Sequence, residues 1–268
     1  MLGERPLRIN VFDHYQERHS FIHQLDPRTK VILTFGYILS IVLVPDGAWL
    51  GFFLAWILLV AMTLSARLKL TFALMRAFVV IPFMLAAIPL LFSTQGEPLI
   101  GSSILGWDWV VTDTGLIRFV SIVIRSLLSV QMAVLLTGTT RFPDILHALR
   151  HLRVPNVLVT VTAFMYRYLF VLVDEATRLI RGRQSRSAYR KDQSGGLSVS
   201  QKARVTGNMV GQLFIRSIER SERVYNAMVA RGYRDQFLTI NPHTLTRTDW
   251  FTIMTWLILI VVVHAISQ

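Results

Sequence analysis

The chain has 268 residues, 53% of them hydrophobic and 16% charged, with a formal net charge of +12 and a positive mean hydropathy. A soluble core of this length does not need so much apolar surface, so the composition is that of a polytopic helical membrane protein. The basic excess flanks apolar stretches without an aromatic–basic pattern, which argues against nucleic acid, and the lack of cysteine excludes disulfides and thiolate metal sites.

The N-terminal stretch is polar and charged through Lys30 and carries no short apolar run with a small-residue cleavage site, so no cleaved signal is expected. Four apolar runs follow, Thr29 to Val44, Ala48 to Leu64, Ala77 to Phe92 and Leu116 to Thr137, and each reads as a membrane span. Pro45-Asp46-Gly47 is a turn of minimal length, which makes the first two spans a tight antiparallel hairpin. Pro82 and Pro89 remove backbone donors and are expected to kink the third.

Three helices are expected next. The first starts at Thr140-Arg141-Phe142-Pro143-Asp144, with Pro and an acidic residue in its first turn, and stops near Val154-Pro155. The second runs from about Asn156 to Arg190 and changes from apolar to Arg-rich at Asp174. Ser194 to Ser200 reads as a linker. The third runs from about Gln201 to Arg231, with Phe214, Ile218, Tyr225 and Met228 on one face and Arg216, Arg220 and Arg223 around it. Gly232 ends it as the residue best able to turn left-handed. Trp250 to Ile266 is a last span. The expected organisation is an all-α membrane protein of about five spans, six if Val157 to Val173 crosses, with an N-terminal tail and four-span bundle over 1–137, a cytoplasmic segment of three helices over 138–249 and a closing span over 250–268.

Charge fixes the orientation. With the N-terminus inside, 26 of the 28 Lys and Arg lie on the cytoplasmic side, while Pro45 to Gly47 and Ser93 to Gly115 hold none and carry Asp46, Glu97, Asp108 and Asp113. A sixth span at Val157 to Val173 would export the 14 basic residues between Asp174 and Asp249, and Arg167 at its middle adds an insertion penalty of about 3 kcal/mol. This segment is therefore read as a helix at the inner membrane surface or under the bundle.

His23-Gln24-Leu25-Asp26-Pro27-Arg28-Thr29-Lys30, Thr139-Thr140-Arg141-Phe142-Pro143-Asp144, Leu152-Arg153-Val154-Pro155, Tyr166-Arg167-Tyr168 and the run Glu219 to Tyr233 with its Ala230-Arg231-Gly232 resemble the transmembrane T component of energy-coupling factor (ECF) transporters. The likeness is greatest to the cobalt-type CbiQ family and spans nearly the whole chain. It implies a subunit of the prokaryotic cytoplasmic membrane that joins two ECF-type ATPase subunits to a substrate-binding membrane subunit, the S component. It also implies that arginine motifs at the ends of two coupling helices dock on the ATPases, which alone use ATP. One departure stands out: the first of the family's two Ala-Arg-Gly motifs is here Ser185-Arg186-Ser187, with the arginine kept and its neighbours changed.

The residues themselves agree with a mechanical role. A guanidinium at a helix C-terminus is favoured by the dipole and can grip a partner's carboxylate with two bonds. The same arginines are also suited to lipid headgroups. No G-x-x-x-x-G-K-[ST] loop occurs, so the chain is not expected to hydrolyse ATP, and no catalytic residue or cofactor is assigned to it. Arg118 and Arg125, seven apart on the fourth span, share a face. Arg118 lies near the outer end, and Arg125 is deep enough to need a backbone carbonyl or a polar group on a partner.

His147 and His151 have two-histidine metal spacing without the glutamate of H-E-x-x-H, and His14, His19 and His23 cluster before the first span. Structural or interfacial roles are expected for both groups and no metal ligand is named. The resemblance places the ion, cobalt by preference, on the S component. Nickel, or a T component shared by several vitamin subunits, stays open, as does a stand-alone secondary carrier. The carrier is weakened by the absence of Asp and Glu from the first four spans.

Overall fold

The computed structural model describes residues 20–68, 75–93, 98–104, 107–186, 198–233 and 246–267. It divides into two compact units, Met1–Leu152 with Pro242–Gln268 and Arg153–Asn241. The chain is an all-α membrane protein, with one short antiparallel hairpin among the described residues.

In the first unit, α1 (Phe21–Gln24) leads into α2 (Pro27–Leu43), whose start follows from its sequence: Pro27 opens the first turn and Asp26 Oδ1 accepts the Arg28 N–H at 2.8 Å. The turn after α2 works as its residues require, with Gly47 at φ +81° and its N–H donated to Ser121 Oγ. Helix α3 (Trp49–Ser65) returns antiparallel. Both helices have 17 residues, about 26 Å, near the short end of what spans a membrane.

The third span departs from the continuous run expected over 77–92. It is a 3-10 turn at Ala77–Val80, then α4 (Ile81–Ala87) and α5 (Leu90–Ser93). Pro82 sits in the first turn of α4, where its missing N–H costs nothing, and Pro89 falls between α4 and α5, where no helix can continue through it. Beyond it, β1 (Pro98–Ile104) pairs antiparallel with β2 (Trp107–Thr112), with Ile104 opposite Trp107 and an irregularity between Pro98 and Ile100. The hairpin lies within Ser93 to Gly115, a segment expected to be external, for which the sequence predicts no regular element.

Helix α6 (Asp113–Thr139) is the longest of this unit. It is capped by Thr112, whose Oγ1 accepts the Gly115 N–H, and carries Asp113 in its first turn. Gly115 is needed for space: a Cβ there would lie 2.7 Å from Thr112 Oγ1, 2.8 Å from Leu91 O and 3.1 Å from Leu90 O. Because two of those atoms are backbone and cannot swing away, Gly115→Ala is expected to lower the thermal unfolding midpoint by an amount equivalent to about 1–3 kcal/mol. An unchanged midpoint by differential scanning fluorimetry would show that α5 yields.

Helix α7 (Phe142–His151), read from the sequence as part of the segment 138–249, packs on α2 within the bundle unit. Leu146 and Ala148 are buried, and Arg28 Nη2 meets His147 Nε2 at 3.4 Å. The last helix, α10 (Arg247–Ser267), is tied to the start of α2: Asp249 Oδ1 accepts the Asp26 N–H at 3.0 Å and Oδ2 accepts the Thr246 N–H.

The core lies where α2, α3, α6 and α10 meet. Tyr37 donates its hydroxyl to Ala55 O at 2.8 Å and stands edge-on to Trp256, with Ile41, Phe52, Leu59, Leu128, Met132 and Val263 around them. The opposite side of α2, Phe35, Leu39 and Val42, is exposed and suited to lipid.

The second unit consists of α8 (Asn156–Arg186) and α9 (Val199–Ala230). By length and composition α6, the stretch Asn156–Ser185 and α10 are all capable of crossing a membrane. The reading of Val157 to Val173 as a surface helix therefore rests on Arg167 and the basic residues that follow it. The expected linker at Ser194 to Ser200 is outside the described residues up to 197; at Ser198 the N–H is donated to Gln201 Oε1, closing the first turn of α9.

Candidate functional site

Helices α8 and α9 run antiparallel, as the residues that face each other show. Thr160 to Leu172 of α8 and Ser217 to Met228 of α9, with Tyr233 just beyond it, line one cleft of about 540 Å³, whereas Arg178 to Arg183 and Val205 to Arg216 line a second of about 490 Å³. Between the clefts Glu175 pairs with Arg216 and Arg220. The two helices thus cross near Glu175 and open on either side of it. The first cleft takes Tyr225 and Met228 from the face expected for α9, together with Phe164, Met165 and Tyr168 of α8. Phe214 and Ile218 of that face line neither wall of it, and they are exposed, as is Tyr225.

The arginine motifs sit at the far tips. Arg186 is the last described residue of α8, and Ser185 folds its hydroxyl back onto Gly182 O at 3.0 Å. Ser187 lies outside the described residues. Ala230 ends α9, Arg231 caps it, and Gly232 turns left-handed at φ +81°. The Gly232 N–H then reaches Val229 O and the Tyr233 N–H reaches Met228 O, both at about 3 Å, which satisfies two carbonyls of the last turn. This closure fixes the backbone that carries Arg231 and leaves its side chain exposed at the negative end of the helix dipole.

From the crossing, Arg186 lies 11 residues along α8 and Arg231 15 along α9, roughly 16 and 22 Å at about 1.5 Å per residue. The backbone positions of Arg186 and Arg231 therefore lie in opposite directions from the crossing, up to about 40 Å from each other.

The other arginine pair serves the fold. Arg125 bonds Asp46 Oδ1 at 2.8 Å, donates to Val44 O and lies 5.7 Å from the Phe52 ring centroid, while Arg118 reaches Asp46 Oδ2 at 3.7 Å. The deep arginine thus finds both a backbone carbonyl and a carboxylate within its own chain. The carboxylate is Asp46, which the sequence alone does not single out. It is an acid in the shortest turn, opposite two arginines on one helix face, and that charge complementarity was the available signal.

The histidines are used locally. His147 Nε2 faces Arg28, His151 Nδ1 bonds His147 O, and His23 Nδ1 bonds Ser20 Oγ at 2.7 Å. His14 and His19 lie outside the described residues. Among the described residues no three His, Cys, Asp or Glu come together as a metal site.

The sequence matches the family described as cobalt transport protein over residues 18–244. It is 27% identical over 256 residues to the energy-coupling factor transporter transmembrane protein EcfT of Lacticaseibacillus paracasei, covering 90% of this chain and 92% of that one. EcfT of Leuconostoc gelidum subsp. gasicomitatum is 28% identical over 225 residues, 81% of each chain. An uncharacterized protein of Methanocaldococcus jannaschii is 28% identical over 230 residues, 84% of this chain and 75% of its own.

Proposed function

The chain belongs to the cobalt transport protein family as a multi-pass transmembrane subunit of ECF-type transporters, and from that premise we propose that it is the coupling subunit, non-catalytic itself, of an ATP-driven importer. In this reading the N-terminus and the pair α8–α9 face the cytoplasm, two ATPase subunits each take one arginine-bearing helix end, and a substrate-binding S component sits against the membrane bundle.

The observation that carries the proposal is the crossed helix pair with Arg186 and Arg231 at opposite ends. Two docking points tens of ångströms apart on one helix pair suit two separate motors, and each guanidinium can make a charge-assisted contact with a partner carboxylate. Closure of the ATPases would move both tips, and the crossed helices would carry that displacement to the membrane.

The cargo is proposed to be cobalt ion, after the family's description, held by the S component. A second reading, one coupling subunit serving several S components, is favoured by relatives named only as ECF transmembrane proteins.

Assembly tests the proposal. Purified in mild detergent from its native membrane, the chain is expected to bring one or two nucleotide-binding proteins and a small membrane protein, identified by mass, with ATPase activity in the same fraction. Elution alone and without ATPase activity contradicts it.

A further inference from the structure

Contact between α8 and α9 is concentrated around Glu175. The Glu175 side chain is only 18% exposed, and its two oxygens are divided between Arg216, which bonds Oε1, and Arg220, whose Nη2 is 4.0 Å from Oε2. To one side lies the cleft of about 540 Å³, walled by Phe164, Met165, Tyr168, Val224, Tyr225 and Met228. To the other lies the cleft of about 490 Å³ between Arg178, Arg183, Gln212 and Arg216. Helix pairs whose angle is fixed by packing interlock their side chains along the contact. Here the clefts open on either side of Glu175, so packing is confined to a short stretch around it, where Val173, Ala176, Leu213 and Ser217 are half-buried, and it does not extend along the helices.

Arg216 and Arg220 are four residues apart and so occupy one strip of α9, about one turn from each other. A carboxylate between two such guanidinium groups stays paired when the helices rotate or slide by part of a turn, since it gains on one arginine what it loses on the other. The crossing therefore has a fixed position along both helices and a soft angle. We propose that Glu175 is the pivot of the helix pair, a positioning residue that fixes where α8 and α9 cross while their angle changes, and thereby sets the lever arms to the positions of Arg186 and Arg231. With an arm of roughly 22 Å on α9, a rotation of about 10° at Glu175 displaces the Arg231 end by about 4 Å.

This inference rests on the coupling role for its transport consequence but not for its geometry, and the test separates the two. The chain has no cysteine, so Gly182→Cys, where a side chain meets open space, and Asn226→Cys, exposed on α9, give a unique pair for spin labels about 25 Å apart. In the assembled complex, Glu175→Gln is expected to broaden the label distance distribution at least twofold. The ATPases are expected to stay bound while the ATP hydrolysed per substrate imported rises at least fivefold. Glu175→Arg combined with Arg216→Glu is expected to bring both readouts back towards wild type, and this exchange decides the matter if Glu175→Gln fails to assemble. An unchanged distance distribution in Glu175→Gln overturns the pivot, as does an exchange variant no better than Glu175→Arg alone. If no ATPase accompanies even the wild-type chain, the coupling role falls instead, and the distance measurement still decides the pivot.

Discussion

Replacing Arg186 and Arg231 together by alanine is expected to leave the protein folded in the membrane and to strip it of its nucleotide-hydrolysing partners, with uptake falling to background. A bidentate guanidinium–carboxylate contact at an interface contributes about 1.5–3 kcal/mol, so each replacement weakens its own contact roughly 10- to 100-fold. Because the two ends are up to about 40 Å apart and share no contact, the losses should add. Arg231→Ala alone should release one ATPase and Arg186→Ala the other. Partner retention on the immobilised chain, read by quantitative mass spectrometry, checks this. Retention of both ATPases by the double variant would assign these arginines to lipid headgroups instead.

The second large effect is expected in the bundle. Asp46→Ala removes the carboxylate shared by Arg125 and Arg118 and leaves Arg125, 20% exposed, with the Val44 carbonyl and the Phe52 ring. Breaking a fully buried pair costs about 3–5 kcal/mol. Asp46 is 37% exposed, so a smaller loss, about 2 kcal/mol, is expected. The thermal midpoint in detergent should fall on the order of 5 °C. Asp46→Asn, which keeps an acceptor, should recover about half. A midpoint that does not move in Asp46→Ala would mean that Gly47, through its bond to Ser121, holds the turn without the acid.

What could be read from the sequence was local. Asp26-Pro27 starts α2, Pro45-Asp46-Gly47 turns the chain, Phe142-Pro143-Asp144 starts α7 and Gly232 ends α9, each because the conformation needed is a property of one or two residues. Composition and the uneven placement of Lys and Arg were enough for the membrane class, since hydrophobic length and charge asymmetry sum over many residues.

What could not be read depends on partners distant in sequence. The β1–β2 pairing needs two strands to be seen together, and 98–112 lacks strict alternation. The break at Pro89 was expected as a kink because proline marks the position of a disruption without giving its extent. Helix α7 is amphipathic enough to lie on any apolar surface, and its place on α2 becomes evident only when Arg28 meets His147 across 119 residues. In the candidate site, Arg186, Ala230, Arg231 and Gly232 could be picked out from the resemblance. Glu175 could not, because one acid among many arginines gives no sign of which of them it will face.

The coupling role itself is tested most directly by transport in proteoliposomes. The chain is reconstituted with its co-purified partners, ATP is supplied on the side bearing α8 and α9, and accumulation of labelled cobalt ion is followed beside ATP hydrolysis. The account predicts accumulation only with ATP and with all partners present, abolished in the Arg186→Ala/Arg231→Ala variant. Accumulation by the chain alone, without ATP, would contradict it.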